Sequence, residues 1–124
     1  MGHSFAIVGA GKVGSALARL LSEHGYEFLG AASRSRESAE AACEFAGAGT
    51  PESDAAALAR LADVVFLTVP DDLIEDVCGE LAEGGGFEPG AVVAHCSGAL
   101  PSTVMNAASA SGAHVGSMHP LQSF

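Results

Sequence analysis

The chain has 124 residues, the size of one ordinary domain built on a single core. Hydrophobic residues make up 48%, glycines number 16 and no charge block interrupts the sequence, which fits a globular α/β protein and excludes a disordered or fibrous one. With 15 acids against 5 bases the net charge is −10, so nucleic acid and anionic membrane are repelled as partners.

No apolar run approaches the roughly 18 residues that span a bilayer. Gly9 and Gly11 also break the first apolar stretch before it can act as a signal peptide. Cys43, Cys78 and Cys96 are odd in number and widely spaced, without metal-ligand spacing. A reduced, cytoplasmic setting and no metal are expected.

Short β-rich runs alternate with helical patterns along the chain, which predicts a parallel sheet with crossover helices. Ser4 to Val8 reads as a buried first strand. Lys12 to His24 reads as a helix with Val13, Ala16, Leu17, Leu20 and Leu21 on one face, stopped by Gly25. Glu27 to Ala32 follows as a strand and Arg36 to Ala46 as a helix. Gly47 to Pro51 leaves room for a short third strand, at an edge because Pro51 has no N–H to donate. Ser53 or Asp54 caps a small helix ending near Leu61.

Asp63 to Val69 (D-V-V-F-L-T-V) is the clearest buried strand, and a helix over Asp71 to Glu83 follows Pro70. The loop Gly84 to Gly90 leads to a strand over Ala91 to His95. A helix from Pro101 to about Ser109 and a strand near Ala113 to Met118 complete the series. Six strands joined by five crossovers predict a doubly wound, mostly parallel sheet in the order 3-2-1-4-5-6, sandwiched as three αβα layers.

Gly9-Ala10-Gly11-Lys12-Val13-Gly14 matches G-x-G-x-x-G between the first strand and first helix. That placement marks a Rossmann dinucleotide turn. Gly9 allows the tight turn, Gly11 lets backbone approach a pyrophosphate, and Gly14 lets helix pack on strand. The helix N-terminus offers free N–H groups and a positive dipole end to phosphates. Lys12 stands either beside the pyrophosphate or in solvent. The bland alternative is a glycine-rich turn with no ligand.

NAD-binding folds place Asp or Glu at the end of the second strand to hold the ribose hydroxyls. Here that region reads Ala32-Ser33-Arg34-Ser35-Arg36, with two hydroxyls, two guanidiniums and no acid. A guanidinium suits a 2′-phosphate because its planar fork donates two hydrogen bonds. NADP is therefore the expected cofactor. In the alternative reading, both arginines merely decorate a helix start, where cations are mildly unfavourable.

Ligands of open α/β sheets sit outside the carboxyl ends of the strands. Val69, Pro70 and Asp71 are expected beside the cofactor ribose, although Pro70 and the acids after it equally serve helix initiation. Cys96, Ser97 and Gly98 follow the fifth strand, where the nicotinamide should lie. Ser97 and Gly98 are candidates to touch the carboxamide or a substrate, and Cys96 reads as a small packing residue rather than a nucleophile. His95 is expected to point into the sheet with its hydrogen bond satisfied. His119 closes the sixth strand as a candidate to orient substrate or shuttle a proton, with a structural histidine as the competing reading.

On G-A-G-K-V-G (Gly9 to Gly14), S-R-S (Ser33 to Ser35), A-D-V-V-F-L-T-V-P-D-D (Ala62 to Asp72), H-C-S-G-A-L (His95 to Leu100) and H-P-L-Q-S-F (His119 to Phe124), the chain resembles a known family. It is similar to the N-terminal domain of Rossmann-like oxidoreductases that carry a second, helical domain of unknown function. Wider relatives are pyrroline-5-carboxylate reductase, prephenate dehydrogenase and the deazaflavin-dependent NADP reductases. The resemblance implies hydride transfer with NADP bound by the Gly9 turn and the Ser33 to Arg36 turn, and it names no substrate. It also implies a helical domain beyond Phe124 that completes the substrate pocket and a homodimer. Residues 1–124 are thus expected to form one dinucleotide-binding domain, inactive alone. The rival expectation is a non-catalytic NADP(H)-binding redox sensor or regulatory module, and a third is a degenerate domain used for assembly.

Overall fold

Alternate residues of the short apolar runs face opposite sides of one sheet, as a period of two requires. The computed structural model describes residues 3–9, 11–95 and 105–117. In β1 (Ser4–Val8), Phe5 and Ile7 enter one buried cluster while Ala6 and Val8 enter the other. β4 (Val64–Leu67) divides the same way, Phe66 meeting Phe5 edge-on and Leu67 joining Val8. Burying side chains such as Ile7, Val65 and Leu67 completely stabilises the fold by about 1.5–3 kcal/mol each.

With β2 (Glu27–Ala32), β3 (Thr50–Glu52), β5 (Val92–His95) and β6 (His114–Ser117), these strands form one parallel sheet in the order β3-β2-β1-β4-β5-β6. The fold is the doubly wound sheet that the alternation predicts. α1 (Lys12–Glu23) and α2 (Arg36–Ala46) cover the Phe5 face through Leu17, Ala18, Ala39 and Ala42. The other face is packed by Leu58 of α3 (Ala55–Leu61), Ile74 and Leu81 of α4 (Ile74–Glu83), and Ala108 of α5 (Asn106–Ala110). No helix among the described residues is long and apolar enough to cross a membrane.

Among the described residues, three elements differ from the sequence expectation by more than a residue. β4 is shorter than Asp63 to Val69: Asp63 spends its carboxylate on the Ser4 N–H, and the chain leaves the sheet before Pro70. The segment after Pro70 opens as a 3-10 turn over Asp71–Leu73 and becomes α-helical at Ile74. β3 begins later than Gly47 and places Pro51 at its centre, which the edge position permits. Of the two candidate caps, Asp54 is the one used, its Oδ1 accepting from Ala57 N–H at 3.1 Å. Residues 101–104 and the end of the sixth strand as expected, Met118, lie outside the described residues.

Candidate functional site

β1 delivers the chain to its reversal at Gly9, where φ is +94° and an added Cβ would fall 2.5 Å from Val69 Cγ1. Only glycine fits that turn. At Gly14, an added Cβ would sit 2.7 Å from Gly9 O and from Thr68 Oγ1, and 3.0 Å from Ile7 Cγ2. Here glycine lets α1 lie directly on the strands. Gly11 is different, because nothing lies within 4 Å of its virtual Cβ. No atom of the described residues demands glycine there, and Gly11 lines the cavity.

The start of α1 is left undecorated. Gly11 is its N-cap and has no side chain to bond the first amides, and the first turn holds no acid. Ser15 N–H is the one that returns to Gly11 O, at 2.9 Å. The N–H groups of Lys12, Val13 and Gly14 therefore have no partner within the helix. Free N–H groups at the positive end of a helix dipole are an arrangement that favours an anion. α2 is treated in the opposite way. Ser35 caps it, its Oγ accepting from Ser38 N–H at 3.3 Å, and Glu37 occupies the first turn.

A cavity of about 970 Å³ opens over the carboxyl ends of β1, β2 and β4. That size suits a small-molecule or cofactor site, for which roughly 300–1,000 Å³ is usual. Gly9, Gly11, Lys12 and Val13 line the end of it that lies at the start of α1. Ser33, Arg34 and Ser38 form one wall, and Val69 and Pro70 the facing one. It continues between α3 and α4, where Leu73 and Val77 line it together with Asp54 and Glu80.

The structure separates the two arginines. Arg34 borders the cavity and has no ion pair among the described residues, whereas Arg36 Nε holds Glu40 Oε2 at 3.2 Å along the outer face of α2. Ser35, Arg36 and Asp71 stand outside the cavity wall, and Gly14 lies behind the turn as packing. Ala10, Cys96, Ser97, Gly98 and His119 lie outside the described residues. His95 is fully buried at the end of β5. Burial also pushes the Cys43 and Cys78 thiols above the ordinary cysteine value, and neither borders the cavity.

Sequence reading did not single out Ser38, Leu73 or Val77. Ser38 was detectable, since it lies three residues past the cap and one turn from the Ser33–Arg34 corner. Leu73 and Val77 carried no such signal, because helical spacing assigns them to the core.

A parallel sheet in this order, with a glycine turn feeding the bare N-terminus of α1, defines an NAD(P)-binding Rossmann domain of the oxidoreductase class. The chain belongs to the family described as NADP oxidoreductase, coenzyme F420-dependent, whose model matches residues 4–93. No curated protein matches it significantly.

Among solved structures, arogenate dehydrogenase from Synechocystis is 25% identical, with a TM-score of 0.72 over 86% of this chain and 37% of that one. 3-Hydroxyisobutyrate dehydrogenase from Mycobacterium tuberculosis is 18% identical, with a TM-score of 0.75 over 93% of this chain and 39% of that one. Imine reductase from a Pseudomonas species is 19% identical, with a TM-score of 0.72 over 93% of this chain and 40% of that one. The chain thus spans about two fifths of the length of the structures it resembles.

Proposed function

We propose that the chain binds NADP(H), in preference to NAD(H), and forms the cofactor half of a small-molecule oxidoreductase. The observation that carries the preference is the corner at the end of β2. Ser33, Ser38 and Arg34, which has no ion pair among the described residues, border the cavity there, where an NAD-specific site would place a carboxylate. The pyrophosphate is held by the amides at the start of α1, with Lys12 beside them, and the adenine lies against Leu73 and Val77.

When bound, the nicotinamide supplies the hydride chemistry. This chain holds the dinucleotide and sets which ring face meets the substrate. Ser97 and His119 are the candidates to touch that substrate, Ser97 and the Gly98 backbone at the carboxamide and His119 as the proton carrier. Other segments of the protein complete the substrate pocket and a dimer, in keeping with the greater length of the related structures.

The test is a pair of calorimetric titrations, NADPH and NADH in parallel. Tighter binding of NADPH by about tenfold or more, roughly 1.4 kcal/mol, is the expected result. Equal affinities would remove the NADP assignment, and silence with both would remove the cofactor site.

A further inference from the structure

Gly9 is tied to both strands that flank β1. Its N–H donates to Ala32 O on β2 at 2.7 Å, and its carbonyl accepts the Thr68 hydroxyl from the end of β4. The same hydroxyl lies 3.4 Å from Val8 O, and Thr68 N–H donates to that oxygen at 2.8 Å. A threonine often bonds its own nearby backbone for purely local reasons. Thr68 instead reaches acceptors 59 and 60 residues earlier in the chain. Gly14 closes the arrangement, since a Cβ there would press within 2.7 Å of both Gly9 O and Thr68 Oγ1.

The Gly9 carbonyl is therefore confined between α1 and β4. This has an electrostatic consequence at the site. A carbonyl oxygen is the negative end of its peptide dipole, and one turned toward a bound phosphate would oppose it. A hydroxyl donor on the neighbouring strand keeps that oxygen occupied and turned away. Thr68 also borders the cavity, so the strand that bears the cofactor on one side steadies the turn on the other.

We propose that Thr68 is a positioning residue for the phosphate turn: through its hydroxyl, β4 fixes the Gly9 carbonyl away from the pyrophosphate and sets cofactor affinity. The inference rests on the dinucleotide site proposed above. It concerns how the turn is held rather than which nucleotide enters.

Thr68→Ala and Thr68→Ser test it, because these variants differ from each other by one hydroxyl. Each is titrated in the intact protein with NADPH and with 2′-AMP, which carries the 2′-phosphate but no pyrophosphate. Thr68→Ala is expected to weaken NADPH about fivefold, the worth of one neutral hydrogen bond. Thr68→Ser should stay within about twofold of the parent, and 2′-AMP should bind all three alike.

Equal NADPH affinity for the alanine and serine variants would overturn the proposal while leaving the cofactor site standing. A parallel loss of 2′-AMP would also overturn it, by showing general loosening of the domain. Failure of the parent to bind NADPH would overturn both readings. Should Thr68→Ala not fold in a melting scan, Thr68→Cys replaces it, since a thiol is a weak donor of similar size to serine.

Discussion

At the amino ends of the central strands, Ser4 and Asp63 satisfy each other. Asp63 N–H donates to Ser4 Oγ at 3.0 Å, and Ser4 N–H donates to Asp63 Oδ2 at 3.2 Å. At the carboxyl edge of the sheet, among the described residues, no side chain caps the first amides of α1 and no carboxylate pairs with Arg34. The amino edge encloses about 190 Å³, lined by apolar side chains such as Leu21 and Phe66, against about 970 Å³ at the carboxyl edge. One edge spends its polar groups on the fold, and the other leaves donors without a side-chain partner among the described residues, beside a cavity. A site of this kind is found by asking where donors stay unpaired next to a cavity, rather than where charge is densest.

The comparison breaks most severely at Gly14. Gly14→Val would push branched carbon into Gly9 O and Thr68 Oγ1, both already within 2.7 Å of a plain Cβ. One contact is backbone, which cannot swing aside. Loss of measurable NADPH binding is expected, with a stability cost of about 2–3 kcal/mol from overpacking. Titration and denaturant melts report the two effects separately. Unchanged binding would mean that the turn does not form the phosphate site.

Arg34 and Arg36 sharpen the contrast at the next level of magnitude. Arg34→Ala is expected to weaken NADPH about tenfold to a hundredfold, as loss of a hydrogen bond to a charged group of about 1.5–3 kcal/mol implies, while NADH shifts little. Arg36→Ala removes an exposed i,i+4 pair worth about 0.3–0.5 kcal/mol and should leave both nucleotides within twofold. Parallel titrations of the two variants give the answer. An equal loss of NADPH in both would put Arg36 at the ligand and dissolve the distinction.

These two arginines also show what the sequence carries. Strand alternation, the glycine turn and the missing acid after β2 are local patterns, and they define the sheet order and one end of the site. The segment S-R-S-R offers two guanidiniums and no local reason to choose between them. Glu40, four residues past Arg36, was the available signal, since that spacing pairs side chains on a helix. Thr68 is a different case. Its partners lie 59 and 60 residues away, so its role appears only once the order β1-β4 is built. Asp63 misleads a strand reading for the same reason, because its carboxylate is drawn to Ser4 on the neighbouring strand, 59 residues earlier.

Asp63 supplies the smallest effect and the cleanest control. Asp63→Ala removes the acceptor for the Ser4 N–H, at an exposed site where water replaces part of the lost bond. The expected cost is about 1 kcal/mol of stability. Ser4→Ala should cost a similar amount, because it removes the acceptor for the Asp63 N–H. The double variant should then cost less than the sum of the singles if the two bonds support each other. NADPH affinity is expected to be unchanged in all three, since the amino edge meets the cavity only through the intervening strands. A change in affinity at constant stability would mean that the two edges are coupled through β1 and β4, and the division of labour between them would have to be redrawn.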